Sequence, residues 1–152
     1  MIIIGIDPDS KSHGVAVYRD GKLDLLCSRQ LFGLFDMINT LKGEGRVQIH
    51  IEDVCAINAT FSKQFVKNRR AETTVSRSVG MCQQAQAEVE RMAEYLGVPV
   101  FKHPISSKWK DAATGNQIMA KLGWPGKSNE DTRSAAYFGY LGVKAWHTAN
   151  KK

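Results

Sequence analysis

Two acidic residues, Asp7 and Glu52, each end a short run of apolar residues. Asp7 follows MIIIGI, which is rich in β-branched residues, and Glu52 follows VQIHI. Runs of this kind are typical of strands inside a sheet. An ionised carboxylate at the end of a buried strand costs free energy unless a cation or hydrogen-bond donors compensate it. The pattern therefore predicts that both acids take part in chemistry at an edge of a sheet.

The segment between these strands favours placing the two acids side by side. Apolar residues at Leu34, Phe35, Ile38 and Leu41 have helical spacing. A helix between two strands makes a parallel crossover plausible, and parallel strands end at one edge, where ligand sites occur. Two carboxylates would repel each other there, and a hard divalent cation such as Mg²⁺ would relieve that repulsion.

A third acid, Asp131, lies just inside a predicted helix over Asn129–Val143. Carboxylates on two strand ends and one late helix suit two-metal phosphoryl transfer, in which one ion activates water and the other stabilises the leaving 3′ oxygen. We therefore predict Asp7, Glu52 and Asp131 as catalytic residues and as ligands of Mg²⁺, with two ions per site. The alternatives are a turn cap for Asp7, an exposed strand end for Glu52 and a helix cap for Asp131.

The remaining patterns predict one α/β domain over residues 1–152, with element order β-β-β-α-β-α-β-α-α. The predicted strands are Met1–Ile6, Gly14–Tyr18, Lys22–Cys27, Val47–Ile51 and Val98–Phe101, and the predicted helices are Leu34–Leu41, Val79–Leu96, Gln117–Leu122 and Asn129–Val143. Asp20-Gly21 favours a hairpin turn, and Pro99 favours an edge position for the last strand. We expect a mixed five-stranded sheet flanked by helices, with a frayed tail from about residue 145.

A basic segment at about residues 60–78 follows the second acidic strand end. Its candidate nucleic-acid contacts are Phe61, Lys63, Lys67, Arg69, Arg70 and Arg77. The chain carries a net charge of +6, which attracts polyanions. Lysine and arginine neutralise phosphates, and an exposed Phe61 could stack on an unpaired base. The alternative is that Phe61 and Phe65 pack on the core as a helical pair, with the cations in solvent.

The cysteines and histidines point to no metal-binding motif. Three cysteines with no C-x-x-C spacing fit free thiols in a reducing compartment, and the four histidines lack the spacing of zinc ligands. No basic and apolar leader marks a signal peptide, and no apolar run is long enough to span a membrane. We therefore expect a cytoplasmic protein without membrane association.

The acidic strand ends also resemble a known family. The stretch IGIDPDS followed by GVAV is similar to the opening motif of RuvC-type Holliday junction resolvases, and IEDV is similar to their second acidic strand end. SVGM with the following Gln84-Ala85, VPVF with Lys110, and Asn129–Tyr140 resemble later parts of the family in the same order. This resemblance covers most of the chain.

The resemblance implies an RNase H-like fold and a homodimer. It also implies a magnesium- or manganese-dependent endonuclease that nicks branched DNA, chiefly four-way junctions, with Lys110 near the scissile phosphate. The compact length and basic segment resemble the phage branch, which would place the protein in the bacterial host cytoplasm. Where the family usually has a second acid three residues after the first, this chain has Ser134, and Asp9 stands where the family often has glycine.

The sequence also allows other functions on the same fold, and one other superfamily. A non-catalytic junction-binding protein is one, because Ser134 replaces an acid. An RNA-processing nuclease of the same superfamily is another. The actin and sugar-kinase superfamily also has a first strand that ends in Gly-Ile-Asp, but 152 residues are too few for its two lobes.

Overall fold

The computed structural model describes residues 1–56 and 69–150, with side chains for 1–56 and 73–150. The strands are β1 (Ile2–Asp7), β2 (His13–Arg19), β3 (Lys22–Arg29), β4 (Val47–Glu52) and β5 (Val100–His103). The helices are α1 (Leu31–Glu44), α2 (Arg69–Tyr95), α3 (Ala112–Lys121) and α4 (Glu130–Ala149), and a short 3-10 helix (Val54–Ala56) follows β4. The predicted order of the strands and α-helices is confirmed.

The five strands form one mixed sheet in the order β3-β2-β1-β4-β5. The first three strands are antiparallel to their sequence neighbours, whereas β4 is parallel to both β1 and β5. Asp20 and Gly21 form the predicted β2–β3 turn with φ of 47° and 83°, which a primed hairpin turn requires. The predicted parallel crossover and the edge position of β5 are both confirmed.

Alternating side chains of the central strands give the sheet two apolar faces. One face carries Ile4, Ile6, Ile49 and Ile51 against buried residues of α1 and α2. The other carries Ile3, Ala16 and Tyr18 against residues of α3 and α4. No helix in the described part of the chain is long and apolar enough to cross a membrane.

Helix α4 lies unusually close to the middle of the sheet because small residues line the contact. A Cβ atom on Gly5 would come within 1.9 Å of the Ala135 carbonyl oxygen, and one on Gly14 would come within 2.3 Å of the Asp131 carbonyl oxygen. The hydroxyl of Tyr18 donates a 2.8 Å hydrogen bond to the Ala136 carbonyl. These contacts fix the height and the register of α4 over β1 and β2.

All four helices are longer than the sequence predicted. Helix α2 begins at Arg69 rather than Val79, and α3 begins at Ala112, where Asp111 accepts a hydrogen bond from the Thr114 amide. Helix α4 continues to Ala149, beyond its predicted end at Val143, and fraying of the tail from about residue 145 stays a prediction. The reason for the greater length is that Trp146 packs against the second apolar face and extends the helix beyond the buried Val143.

We expect Gly5→Ala to destabilise the protein because its Cβ would collide with the backbone of α4. Overpacking of this kind costs about 1–3 kcal/mol, and a collision with backbone puts the cost at the upper end. The matched control is Gly43→Ala in α1, where a Cβ meets nothing within 4 Å and should be neutral or slightly stabilising. Urea unfolding of both variants tests this, and equal stability of Gly5→Ala and wild type would contradict the close approach.

Candidate active site

The two strand-end acids meet at one edge of the sheet. In the parallel β1–β4 pair Ile6 lies opposite Ile51, so the following residues, Asp7 and Glu52, end neighbouring strands at the same level. Both are buried, with 7% of Asp7 and 3% of Glu52 exposed. Two buried carboxylates therefore lie side by side, as the sequence predicted.

The ammonium group of Lys110 lies between these two acids. Its Nζ is 3.5 Å from Asp7 Oδ2 and 3.5 Å from Glu52 Oε2. The other carboxylate oxygen of Glu52, Oε1, accepts a 3.0 Å hydrogen bond from the backbone amide of Ser106. Both oxygens of Glu52 thus have a partner from the segment that follows β5.

Helix α4 contributes two further oxygen-bearing side chains to the same edge. Its N-terminus is fixed by a reciprocal capping box between Asn129 and Thr132. Asp131 in the first turn packs against Gly14, which is the β2 partner of Asp7. Ser134, one turn later, is fully buried, and its hydroxyl has no hydrogen-bond partner in the part of the chain that the structure describes.

Burial dominates the electrostatics of the edge. It raises the pKa of Asp7 from 3.8 to about 7, against the opposing effects of Lys110 and of the Ser134 hydroxyl, while Glu52 and Asp131 raise it further. The Ser134 hydroxyl thus faces Asp7, although it is not in good hydrogen-bonding geometry. Burial also raises the pKa of Asp131, and Asp9 and Glu130 add to the effect. The site carries more negative charge than its surroundings compensate.

Burial lowers the pKa of Lys110, but the attraction of Asp7 and Glu52 outweighs it and leaves this pKa above its usual value. Among the described residues, no three acidic, histidine or cysteine side chains form a ready metal-binding group. The metal-ligand set Asp7, Glu52 and Asp131 therefore stays a prediction.

Most of the predicted nucleic-acid contacts cannot be placed. Phe61, Lys63 and Lys67, together with the side chains of Arg69 and Arg70, lie outside the described residues. Arg77 is exposed on α2 and lines a shallow groove with Ser10.

The N-terminal part of α2 projects past the acidic edge. Ser78, Val79 and Cys82 line a small cavity with Glu52, whereas Gly97 and Val98, just after the helix, lie at the opposite end of the sheet beside Arg46. The helix has 27 residues and is about 40 Å long, about twice the length of the six-residue strand β4. Its first turns therefore extend beyond the acidic edge.

Two residues near the site escaped sequence reasoning. Arg133 is buried, and its guanidinium donates to the carbonyls of Trp109, Lys110 and Ser128. Gln86 of α2 accepts from the Cys55 amide and donates to Asp53, so it anchors the chain just after Glu52. The position of Arg133 within a run of small residues could have indicated its buried role. A glutamine in a polar helix, such as Gln86, gives no such indication.

The histidines and cysteines hold no metal motif in the described chain. His50 and His103 come together across β4 and β5 with 2.8 Å between Nδ1 and Nε2, a pairing that their sequence spacing could not reveal. The three cysteines are free, as predicted. Asp9 accepts a hydrogen bond from the Lys11 amide, so it stabilises a turn beside the site.

Two solved structures of Thermus thermophilus RuvC share this fold. One, described as RuvC in complex with Holliday junction substrate, matches with a TM-score of 0.59 and 16% identity over 97% of this chain and 96% of that chain. The other, described as a Thermus thermophilus RuvC structure, matches with a TM-score of 0.56 and 16% identity over 97% of both chains. No family model and no curated protein matches the sequence. The comparison confirms the RNase H-like fold with its five-stranded mixed sheet.

The raised pKa of Asp7 predicts a specific pH dependence of stability in metal-free protein. Asp7 binds its proton more tightly when folded, so the free energy of unfolding should fall as pH rises from about 4 to about 7 and then level off. At pH 8, Asp7→Asn should be more stable than wild type, on the order of 1–3 kcal/mol, and should lose much of this slope. Urea unfolding in EDTA measures both effects. Asp36→Asn, an exposed acid on α1, is the control, and an unchanged slope in Asp7→Asn would contradict the prediction.

Proposed function

We propose that this protein is a metal-dependent endonuclease that hydrolyses phosphodiester bonds in branched DNA, chiefly four-way junctions. The observation that carries the proposal is the meeting of Asp7 and Glu52 at the ends of adjacent parallel strands, with Asp131 supplied by α4. The RNase H-like fold presents these acids at an open edge of the sheet. The positive net charge favours a polyanionic substrate.

The donor set fits a hard divalent cation such as Mg²⁺ or Mn²⁺. It consists of carboxylate oxygens, and the buried, unpartnered hydroxyl of Ser134 adds a neutral oxygen beside Asp7. A divalent cation bound there would lower the pKa of an attacking water and polarise the scissile phosphate. Burial, with a smaller contribution from Glu52 and Asp131, disfavours the ionised form of Asp7, and a bound divalent cation would stabilise that form.

The protein's own residues divide the remaining work. Asp7 and Asp131 offer carboxylate oxygens, and Glu52 is oriented by the Ser106 amide and by Lys110. Lys110 holds the two strand-end acids together and adds positive charge where the phosphate would approach. The projecting start of α2 with Arg69, Arg70 and Arg77, and the segment with Phe61, Lys63 and Lys67, would bind the DNA arms and the junction centre.

A homodimer is part of the proposal, because resolving a junction needs two cuts and a dimer would supply two sites on opposing strands. A phage origin and a location in the host cytoplasm stay predictions from the sequence.

A second candidate is a junction-binding protein without nuclease activity. The observation that favours it is the position of Lys110, whose ammonium compensates part of the charge of Asp7 and Glu52 without any metal ion. Such a protein would bind four-way junctions tightly and leave them intact.

Purified protein, a labelled four-way junction and Mg²⁺ or Mn²⁺ separate these candidates. We expect paired nicks in the junction and little cutting of linear duplex or structured RNA. Asp7→Asn and Glu52→Gln should each lower the nicking rate at least about 1,000-fold, while junction affinity changes little. The first removes a carboxylate that would hold the metal ion, and the second removes the charge that holds Lys110 at the site. Asp36→Asn should cut like wild type. Binding without nicking under either metal would favour the second candidate, and preferred cutting of RNA would redirect the substrate.

The basic segment should contribute a salt-dependent share of junction affinity. In the variant Lys67→Ala, Arg69→Ala, Arg70→Ala we expect weaker binding and a shallower dependence of log affinity on log salt, by about 2–3 units of slope if all three cations contact phosphate. The control replaces three exposed cations elsewhere, Lys22, Arg46 and Lys121, by alanine. Fluorescence anisotropy across a salt series measures both. Equal slopes in wild type and the first variant would exclude these phosphate contacts.

A further inference from the structure

Lys110 is held in place by its backbone as well as by the acids. The buried guanidinium of Arg133 donates from Nε to the Trp109 carbonyl at 3.1 Å and from Nη2 to the Lys110 carbonyl at 2.6 Å. A third bond, from Nη1 to the Ser128 carbonyl at 3.2 Å, ties the preceding loop of α4 to the same group. One arginine side chain thus joins the Lys110 segment to the helix that supplies Asp131.

The local backbone is shaped around this arginine. Trp109 has a φ of 68°, a left-handed conformation that a bulky residue rarely adopts without being held. A Cβ on Gly115 would come within 2.3 Å of the Trp109 carbonyl oxygen and 2.5 Å of Arg133 Cδ. The absence of a side chain at Gly115 therefore leaves room for the Arg133 guanidinium and the carbonyls that it binds, an arrangement that we call the Arg133 clamp. The backbone that carries Lys110 is therefore held by Arg133, with Trp109 and Gly115 shaped to allow it. This makes the position of Lys110 between the acids a fixed feature of the fold.

Some of the side-chain oxygens at the site already have a partner, and others are available to a cation. Glu52 is fully used, since Oε1 binds the Ser106 amide and Oε2 faces Lys110. On the other side, Lys110 faces only Oδ2 of Asp7, and Ser134 Oγ, with 0% of the residue exposed, has no partner in the described chain. The oxygens free to bind a cation are thus those around Asp7, Asp131 and Ser134.

We propose that the site binds a single divalent cation through Asp7, Asp131 and Ser134, while the Arg133-clamped ammonium of Lys110 stands where a second cation would otherwise bridge Asp7 and Glu52. This inference rests on the proposed metal-dependent nuclease and narrows the two ions expected from the sequence to one. Three carboxylates and one ammonium carry a formal charge of −2, which one divalent cation neutralises. Arg133 acts as a positioning residue because it reaches the site only through Lys110.

The number of Mn²⁺ ions bound per chain, measured on the protein without DNA, tests whether the site holds one cation. Mn²⁺ titration followed by calorimetry and electron paramagnetic resonance should give one ion per wild-type chain. Lys110→Met should admit a second ion, visible as a stoichiometry of two and as coupling between the manganese centres. Lys108→Met, an exposed neighbouring lysine, is the matched control and should stay at one. Ser134→Ala should keep one ion with severalfold weaker affinity.

Arg133→Gln checks the clamp. It should allow a weak second Mn²⁺ ion, and Arg133→Lys should restore part of the wild-type count, provided that circular dichroism shows both folded; if neither folds, Lys110→Met decides. Two ions in the wild type, none at all, or one ion in Lys110→Met would each overturn the proposal. Junction nicking is scored separately, so a protein that binds one ion and does not cut would contradict the nuclease function and leave the count intact.

Discussion

The burial of two carboxylates at adjacent strand ends is the constraint on which the site depends. Asp7 and Glu52 lie too close to each other and too far from water to be stable without compensation. Lys110, from the segment after β5, compensates both carboxylates, and the Ser106 amide donates a hydrogen bond to Glu52. This compensation is incomplete, because the pKa of Asp7 remains raised to about 7. A site that is stable enough to fold yet still short of positive charge is suited to bind a metal ion and a phosphate.

The second requirement is that α4 must lie close enough to contribute to the same edge. Glycine at positions 5 and 14 and the small residues Ala135 and Ala136 let the helix rest almost directly on the backbone of β1 and β2. Asp131 and Ser134 reach the neighbourhood of Asp7 only because of this approach. The same helix carries Arg133, so one packing contact sets the position of the acid, the hydroxyl and, through the clamp, the lysine.

Local patterns in the sequence predicted the fold well, and the site in part. The β-branched runs, the Asp20-Gly21 turn and the crossover helix fixed the strand order, and the strand-end acids met as expected. Helix bounds were missed where a cap or packing prolongs a helix, as at the Asp111 cap of α3 and at Trp146 of α4. The positions of Lys110 and Arg133 depend on contacts between residues 23 or more apart, such as the bond from Arg133 to the Lys110 carbonyl, and no local spacing reveals them. The basic segment with Phe61 stays a prediction.

The most direct test of the account is the anomalous scattering of manganese in crystals soaked with Mn²⁺. We predict one strong peak bound by carboxylate oxygens of Asp7 and Asp131, with Lys110 still beside Glu52. A peak between Asp7 and Glu52 with Lys110 displaced would contradict the division of the site between lysine and metal. The absence of any peak at Asp7, in a protein that cleaves junctions, would contradict the assignment of the site itself.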